Sequence, residues 1–183
     1  MNKLQAAENF AKEIHAGMIR KDGVTPFYDH LSGVVARLKN LGVTDEDVLA
    51  AAWLHDTLED TKISFADLDS RFGSKVAVLV LALTKDNRLP KARQEEQYVK
   101  QLKEASIEAK LIKLCDISAS IKDIKNASLS KTKKVKTVRK ILYYLNAIKP
   151  DLVKSKASVP GIQGLADGIN ETVTLFGQKS LII

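Results

Sequence analysis

The run Leu54-His55-Asp56-Thr57-Leu58-Glu59-Asp60-Thr61 sets four ionisable groups at the end of the most apolar helical stretch of the chain, Leu49 to Leu54. Charge beside buried surface is costly without a partner. On a helix, residues four apart share a face, so His55 lies over Glu59 and Asp56 over Asp60, in two adjacent rows. A cation explains both rows. Imidazole nitrogen with carboxylate oxygen suits a divalent ion of intermediate hardness such as Mn2+, Fe2+ or Zn2+, which cancels charges that otherwise repel. Two adjacent ligands rarely suffice, and the chain has three histidines to draw on. His30 follows a turn at the start of a helical stretch, Asp116 is a single acid in the apolar run Lys113-Leu114-Cys115-Asp116, and His15 is left over.

The elements that must position these groups are helices. Aromatic residues make up 5% of the chain and β-branched runs are short, whereas apolar residues recur every three or four positions. The pattern predicts helices over 3–18, 28–40 and 45–55. Residue Thr44 with Asp47 supplies the N-cap signature of the third. That third helix, with Leu49, Ala50, Ala51, Ala52, Trp53 and Leu54, is apolar all round, as a helix in the middle of a bundle is. Further helices are predicted over 64–72, closed by Gly73, and over 75–83, 91–104, 107–124 and 131–148, the last stopped by Pro150. Thr84 to Pro90 is a polar, cationic loop. Residues 159–168, with Pro160, Gly161, Gly164 and Gly168, read as a loose connection into a short apolar segment at Val173 to Phe176. The chain therefore divides into a single all-α domain over 1–150 and an extension over 151–183 that carries a short helix and packs on the domain or a partner.

The bulk composition excludes several classes. At 183 residues, 45% hydrophobic and 28% charged, the chain suits one soluble core. Its longest apolar runs, such as Val76 to Leu83, are far short of a membrane span, and Met1 to Phe10 lacks a signal-peptide core. One cysteine, Cys115, forms no internal disulfide, which fits a reducing cytoplasm. The net charge of +7 includes the stretch Lys131, Lys133, Lys134, Lys136, Arg139, Lys140, which lacks interleaved aromatics and reads as a solvated helix face, not a nucleic-acid surface.

His30, the His55-Asp56 pair and Asp116 resemble, in order and spacing, the ligand set of HD-domain phosphohydrolases. The fuller strings Arg20-Lys21-Asp22-Gly23, Thr25-Pro26-Phe27-Tyr28-Asp29-His30 and His55 to Thr61 are similar to the branch that hydrolyses the alarmone (p)ppGpp, and Leu89-Pro90-Lys91 is similar to a basic loop of that branch. The resemblance covers about residues 10–149. It implies an all-α HD-domain bundle in which His30, His55, Asp56 and Asp116 bind one manganese ion, with Fe2+ or Zn2+ as alternatives. It further implies that Glu59 and Asp60 position or activate the attacking water, and that the reaction is a 3′-pyrophosphohydrolysis of (p)ppGpp or (p)ppApp. The ion polarises a phosphoryl oxygen and a carboxylate accepts the proton of water. The charge of the released pyrophosphate must be met by cations such as Arg20, Lys21 and Lys91.

The chain departs from that branch at Asp116-Ile117-Ser118-Ala119-Ser120, where relatives commonly carry an asparagine in place of Ser120, lying against the nucleotide. Serine is shorter and makes no two-pronged amide contact, so the choice between guanine and adenine stays open. Lys85, Asn87 and Arg88 stand where the branch more often has an acid, a lysine and a small residue. Tyr143 or Tyr144 is expected in the core. Two other readings use the same scaffold: another nucleotide phosphohydrolase or phosphodiesterase, or a nucleotide sensor without turnover. Glu59-Asp60 with Arg20-Lys21 favours the pyrophosphohydrolase.

Overall fold

A computed structural model describes residues 2–20 and 22–183. The described residues form ten helices and no strand beyond an isolated bridge between Ile19 and Pro26. The fold is an all-α bundle in a single domain.

Helix α3 (Glu46–Leu54) is the axis of the bundle, because every residue from Val48 to Leu54 is buried. It packs against α1 (Lys3–Ile14), α2 (Phe27–Asn40), α6 (Ser74–Leu83) and α8 (Ile107–Asn126). Burial on all sides is what an all-apolar helix requires. Its N-cap is Asp45, whose carboxylate accepts from the amides of Asp47 and Val48, and not the expected Thr44. An ionised cap satisfies the free amides and also complements the helix dipole, which a threonine does not. Between α3 and α6 lie a single turn, α4 (Thr57–Asp60), and α5 (Phe65–Phe72), which is opened by a Ser64/Asp67 capping box and closed by Gly73 at φ +91°.

Helix α7 (Lys91–Glu104) leads into α8, and α9 (Lys131–Ser155) packs on both. Pro150 does not stop α9, contrary to expectation; it lies inside the helix. Leu152 beyond it is fully buried and Asp151 holds the buried Lys110 ammonium at 2.5 Å. That tertiary gain outweighs the one backbone bond that proline removes. Residue 150 is therefore no boundary between elements.

The expected loose connection after residue 159 is instead helical, as α10 (Gly161–Leu175). Ile162, Ala166, Ile169 and Val173 make a continuous buried stripe, and this stripe packs on α8, which outweighs about 1 kcal/mol of helix cost per glycine. Gly161 has a positive reason as well: a Cβ there would sit 2.7 Å from Leu41 Cδ2. The basic N-terminal half of α9 is mostly exposed.

Candidate active site

Four side chains from three parts of the bundle converge at the end of α3. His30 comes from the first turn of α2, His55 from the C-cap of α3, Asp56 from the junction that follows, and Asp116 from the middle of α8. His30 Nε2 lies 3.3 Å from Asp116 Oδ1 and 3.9 Å from Asp56 Oδ2. His55 Nε2 lies 3.3 Å from Asp56 Oδ2 and 3.9 Å from Asp116 Oδ1. Ligand atoms of His30, His55 and Asp56 all fall within 4.8 Å of one another.

One imidazole is oriented by the backbone. His55 Nδ1 donates to the Ala52 carbonyl at 2.8 Å, which leaves the lone pair on Nε2. Both His30 Nε2 and His55 Nε2 are buried with no hydrogen-bond partner among the described residues. Burial lowers the pKa of His30, against the opposing pull of Asp116. Burial opposes ionisation of Asp116, but the Lys113 ammonium and the two imidazoles outweigh it and hold the carboxyl well below the usual range. Two imidazoles and two carboxylates, with two buried nitrogens lacking a hydrogen-bond partner among the described residues, fit a divalent cation.

The helix that would carry both expected rows is interrupted. Helix α3 ends at Leu54, and the amides of Glu59 and Asp60 both bond back to the Asp56 carbonyl, which restarts the chain as α4. Glu59 consequently engages the loop after α6: its Oε2 accepts from the Lys85 amide at 3.2 Å, and Oε1 lies 3.7 Å from Lys85 Nζ. Asp60 is exposed at the end of α4. Arg20 reaches the cluster from the other side. Its Nη2 donates to Ser120 Oγ at 2.9 Å, its Nε lies 3.3 Å from Asp123 Oδ2, and Ser120 Oγ donates to Asp116 Oδ1 at 3.1 Å. Lys91 is exposed at the start of α7. Lys21 lies outside the described residues. His15, the leftover histidine, is a core residue stacked on Phe27.

A family model described as an HD domain matches residues 7–150. The chain belongs to the HD domain family. Within it, the chain is 43% identical over 118 residues to the guanosine-3′,5′-bis(diphosphate) 3′-pyrophosphohydrolase MESH1 of Danio rerio, covering 63% of this chain and 66% of that protein. It is 34% identical over 139 residues to a guanosine-3′,5′-bis(diphosphate) 3′-pyrophosphohydrolase of Aquifex aeolicus, covering 75% of this chain and 20% of that protein. The aligned stretch thus spans about two thirds of the first relative and a fifth of the second. A solved structure of a metazoan ortholog of SpoT, described as hydrolysing ppGpp, superposes with a TM-score of 0.83 at 26% identity over 98% of both chains.

Beside the four convergent groups, this HD domain has a layer of cations and rings whose place there was not expected from the sequence. Lys113 Nζ bonds Asp116 Oδ2 at 2.8 Å and lies 5.4 Å from the ring centres of both Tyr98 and Tyr144. Its signal was present in the sequence, since a lysine three residues before an acid in an apolar helix is placed to pair with it. Tyr98 and Tyr144 meet edge to face, and both are buried, whereas Tyr143 is half exposed. No helix of the described residues is long and apolar enough to cross a membrane.

Proposed function

We propose that this HD domain is a cytoplasmic, manganese-dependent 3′-pyrophosphohydrolase of alarmones, acting on (p)ppGpp, (p)ppApp or both. The observation that carries the reading is the pair of buried, unpartnered Nε2 atoms of His30 and His55 facing Asp56 Oδ2 and Asp116 Oδ1. These four residues are assigned as the metal ligands. The printed activity of the MESH1 and Aquifex relatives supports the substrate class.

When bound, the ion supplies Lewis acidity at the reacting phosphoryl group. The remaining chemistry belongs to the chain. Glu59, held by the Lys85 amide, or Asp60 beside it takes a proton from water as its oxygen bonds to the inner phosphorus of the 3′-diphosphate. The P–O3′ bond breaks, its electron pair goes to the ribose oxygen, and that oxygen is protonated. Products are pyrophosphate and a nucleoside 5′-polyphosphate with a free 3′-hydroxyl. Arg20, Lys21 and Lys91 supply positive charge for the substrate's phosphates, and Ser120 lies beside the nucleotide on the α8 side. The test is a substrate panel with Mn2+ present, comparing ppGpp, pppGpp, ppApp, pppApp and common nucleotides by nucleotide and pyrophosphate analysis. Pyrophosphate release from at least one alarmone is expected; its absence from all four overturns the proposal.

A further inference from the structure

The loop between α6 and α7 is fixed from both sides. Gln101 Nε2, with two N–H donors, lies within 3.0 Å of the carbonyls of Leu81, Ala82 and Thr84, and the Tyr98 hydroxyl donates to that of Leu83. On the other side the Lys85 amide and the Asn87 side chain bond Glu59. With its backbone pinned in this way, Lys85 has little freedom in where it sends its ammonium. The side chain is 16% exposed, and Nζ rests 4.9 Å from the Tyr98 ring centre and 5.2 Å from that of Tyr144.

Three ammonium groups surround this tyrosine pair, and each has an acid beside it. Lys113 is hydrogen-bonded to Asp116, and Lys140 forms a close ion pair with Glu95, which also accepts from the Tyr144 hydroxyl. The acid nearest Lys85 is Glu59, but its Oε1 is 3.7 Å away, beyond hydrogen-bond distance, and Oε2 is taken by the backbone amide. A lysine whose purpose is to neutralise Glu59 closes to about 2.8 Å, as charge-assisted bonds do. Lys85 is instead held by two ring faces at the edge of the metal cluster, with donors directed at neither Glu59 oxygen at bonding distance. Burial lowers its pKa, against the opposing charge of Glu59, and the cost of keeping it charged is recovered when an anion arrives.

We propose that Lys85 is an anion-binding residue of the active centre that receives the pyrophosphate end of the substrate, with Tyr98 and Tyr144 as the platform that presents its ammonium. The end is chosen by position. Lys85 stands beside Glu59, the carboxylate proposed to meet the attacking water, whereas Arg20 reaches Asp116 through Ser120 on α8. The assignment rests on the alarmone reading for its substrate, but its test does not need turnover.

The probe is inorganic pyrophosphate, titrated calorimetrically into Mn2+-loaded wild type, K85Q, K85R and the exposed-face control K133Q. K85Q is expected to weaken pyrophosphate binding by about tenfold, the loss of one charge-assisted bond; K85R retains most of it and K133Q changes nothing. Thermal melts check that each variant is folded, and K85R, which keeps charge and length, carries the comparison if K85Q is not. In turnover, K85Q raises KM and relieves product inhibition by pyrophosphate more than it lowers kcat. Unchanged pyrophosphate affinity in K85Q, or an equal loss in K133Q, overturns the proposal. Wild type that binds pyrophosphate through Lys85 but cleaves no alarmone sinks the functional reading and leaves this one standing.

Discussion

Lys113 and His30 face opposite oxygens of one carboxylate: Lys113 Nζ bonds Asp116 Oδ2 at 2.8 Å, and His30 Nε2 lies 3.3 Å from Asp116 Oδ1. The division leaves Oδ1 to the side where His30, His55 and Ser120 converge on it. Burial works against both charges, yet Asp116 holds the Lys113 ammonium well above its ordinary pKa and Lys113 holds Asp116 well below its own.

Lys113→Met leaves Asp116 beside the cluster without its cation. Breaking a buried pair on one side costs about 3 kcal/mol, so urea melts of metal-free protein should show a loss of that order. The pH window follows from the two directions. Asp116, lowered on folding, contributes above the unfolded carboxylate value near 3.9 and ceases as pH falls through its folded value. Lys113, raised on folding, contributes below about 10.4 and ceases as pH climbs through its folded value. The deficit of the variant should therefore be level between about pH 5 and 9 and shrink under strong acid. Saturating Mn2+ supplies another cation to Asp116 and should reduce it; an equal deficit with and without metal counts against charge compensation.

His55→Ala and Asp56→Ala are each expected to abolish stoichiometric metal retention along with turnover. Each removes one of four donors from a cluster in which Nε2 of both histidines has no alternative partner. Metal analysis after gel filtration decides the point, and a full equivalent of metal retained by either variant refutes the ligand assignment.

Glu59→Gln keeps the shape that accepts the Lys85 amide while removing the carboxylate proposed to take the proton. Metal content and melting temperature should be preserved, with a fall in kcat of about 100-fold or more. Near-normal turnover would transfer the base role to Asp60.

Where the sequence was legible, one residue type had one physical reading. The all-apolar run from Leu49 to Leu54 has no stable place except mid-bundle, and α3 is there. His30, His55, Asp56 and Asp116 were candidates through the scarcity of histidine and the oddity of a single acid in an apolar run of α8, and the resemblance to the HD-domain ligand set joined them. What escaped depended on contacts distant in the chain. Pro150 and the glycines of α10 carry local helix-breaking signals that burial of Leu152 and of the Ile162–Val173 stripe overrides. The break at His55–Asp56 was invisible to periodicity because α4 is a single turn, too short to show a period. Lys85 acquires its place only when α6, α7 and α9 bring Tyr98 and Tyr144 beneath it.

Cys115 lies on α8 next to a metal-cluster acid, yet it is fully buried and burial pushes its thiol up to about 12. Reactivity follows the thiolate, so at pH 8 the folded protein should resist iodoacetamide and denatured protein should be modified fully. Rapid alkylation of the native protein, seen by intact mass, would contradict this packing of α8.

The proposed place of Ser120 beside the nucleotide bears on base selection. Guanine carries a carbonyl and adenine an amino group at the same ring position, so a site discriminates through the donors and acceptors it presents. Ser120 has one hydroxyl proton, and it is donated to Asp116 Oδ1 while the oxygen accepts from Arg20. Nothing is left on this side chain to donate to a guanine carbonyl. Guanine preference should accordingly be weak in the wild type, with adenosine alarmones accepted. An asparagine at 120 has two N–H donors and a carbonyl, enough to hold the α8 network and still reach the base. Ser120→Asn should shift the ratio of kcat/KM for ppGpp over ppApp toward ppGpp by roughly 0.5–1.5 kcal/mol, about two- to tenfold, the worth of one hydrogen bond. Ser120→Ala, which severs the link to Asp116 and Arg20 without adding a donor, should lower both values together and leave their ratio in place. A ratio that stays fixed in Ser120→Asn, measured with both nucleotides at saturating Mn2+, would show that position 120 does not read the base.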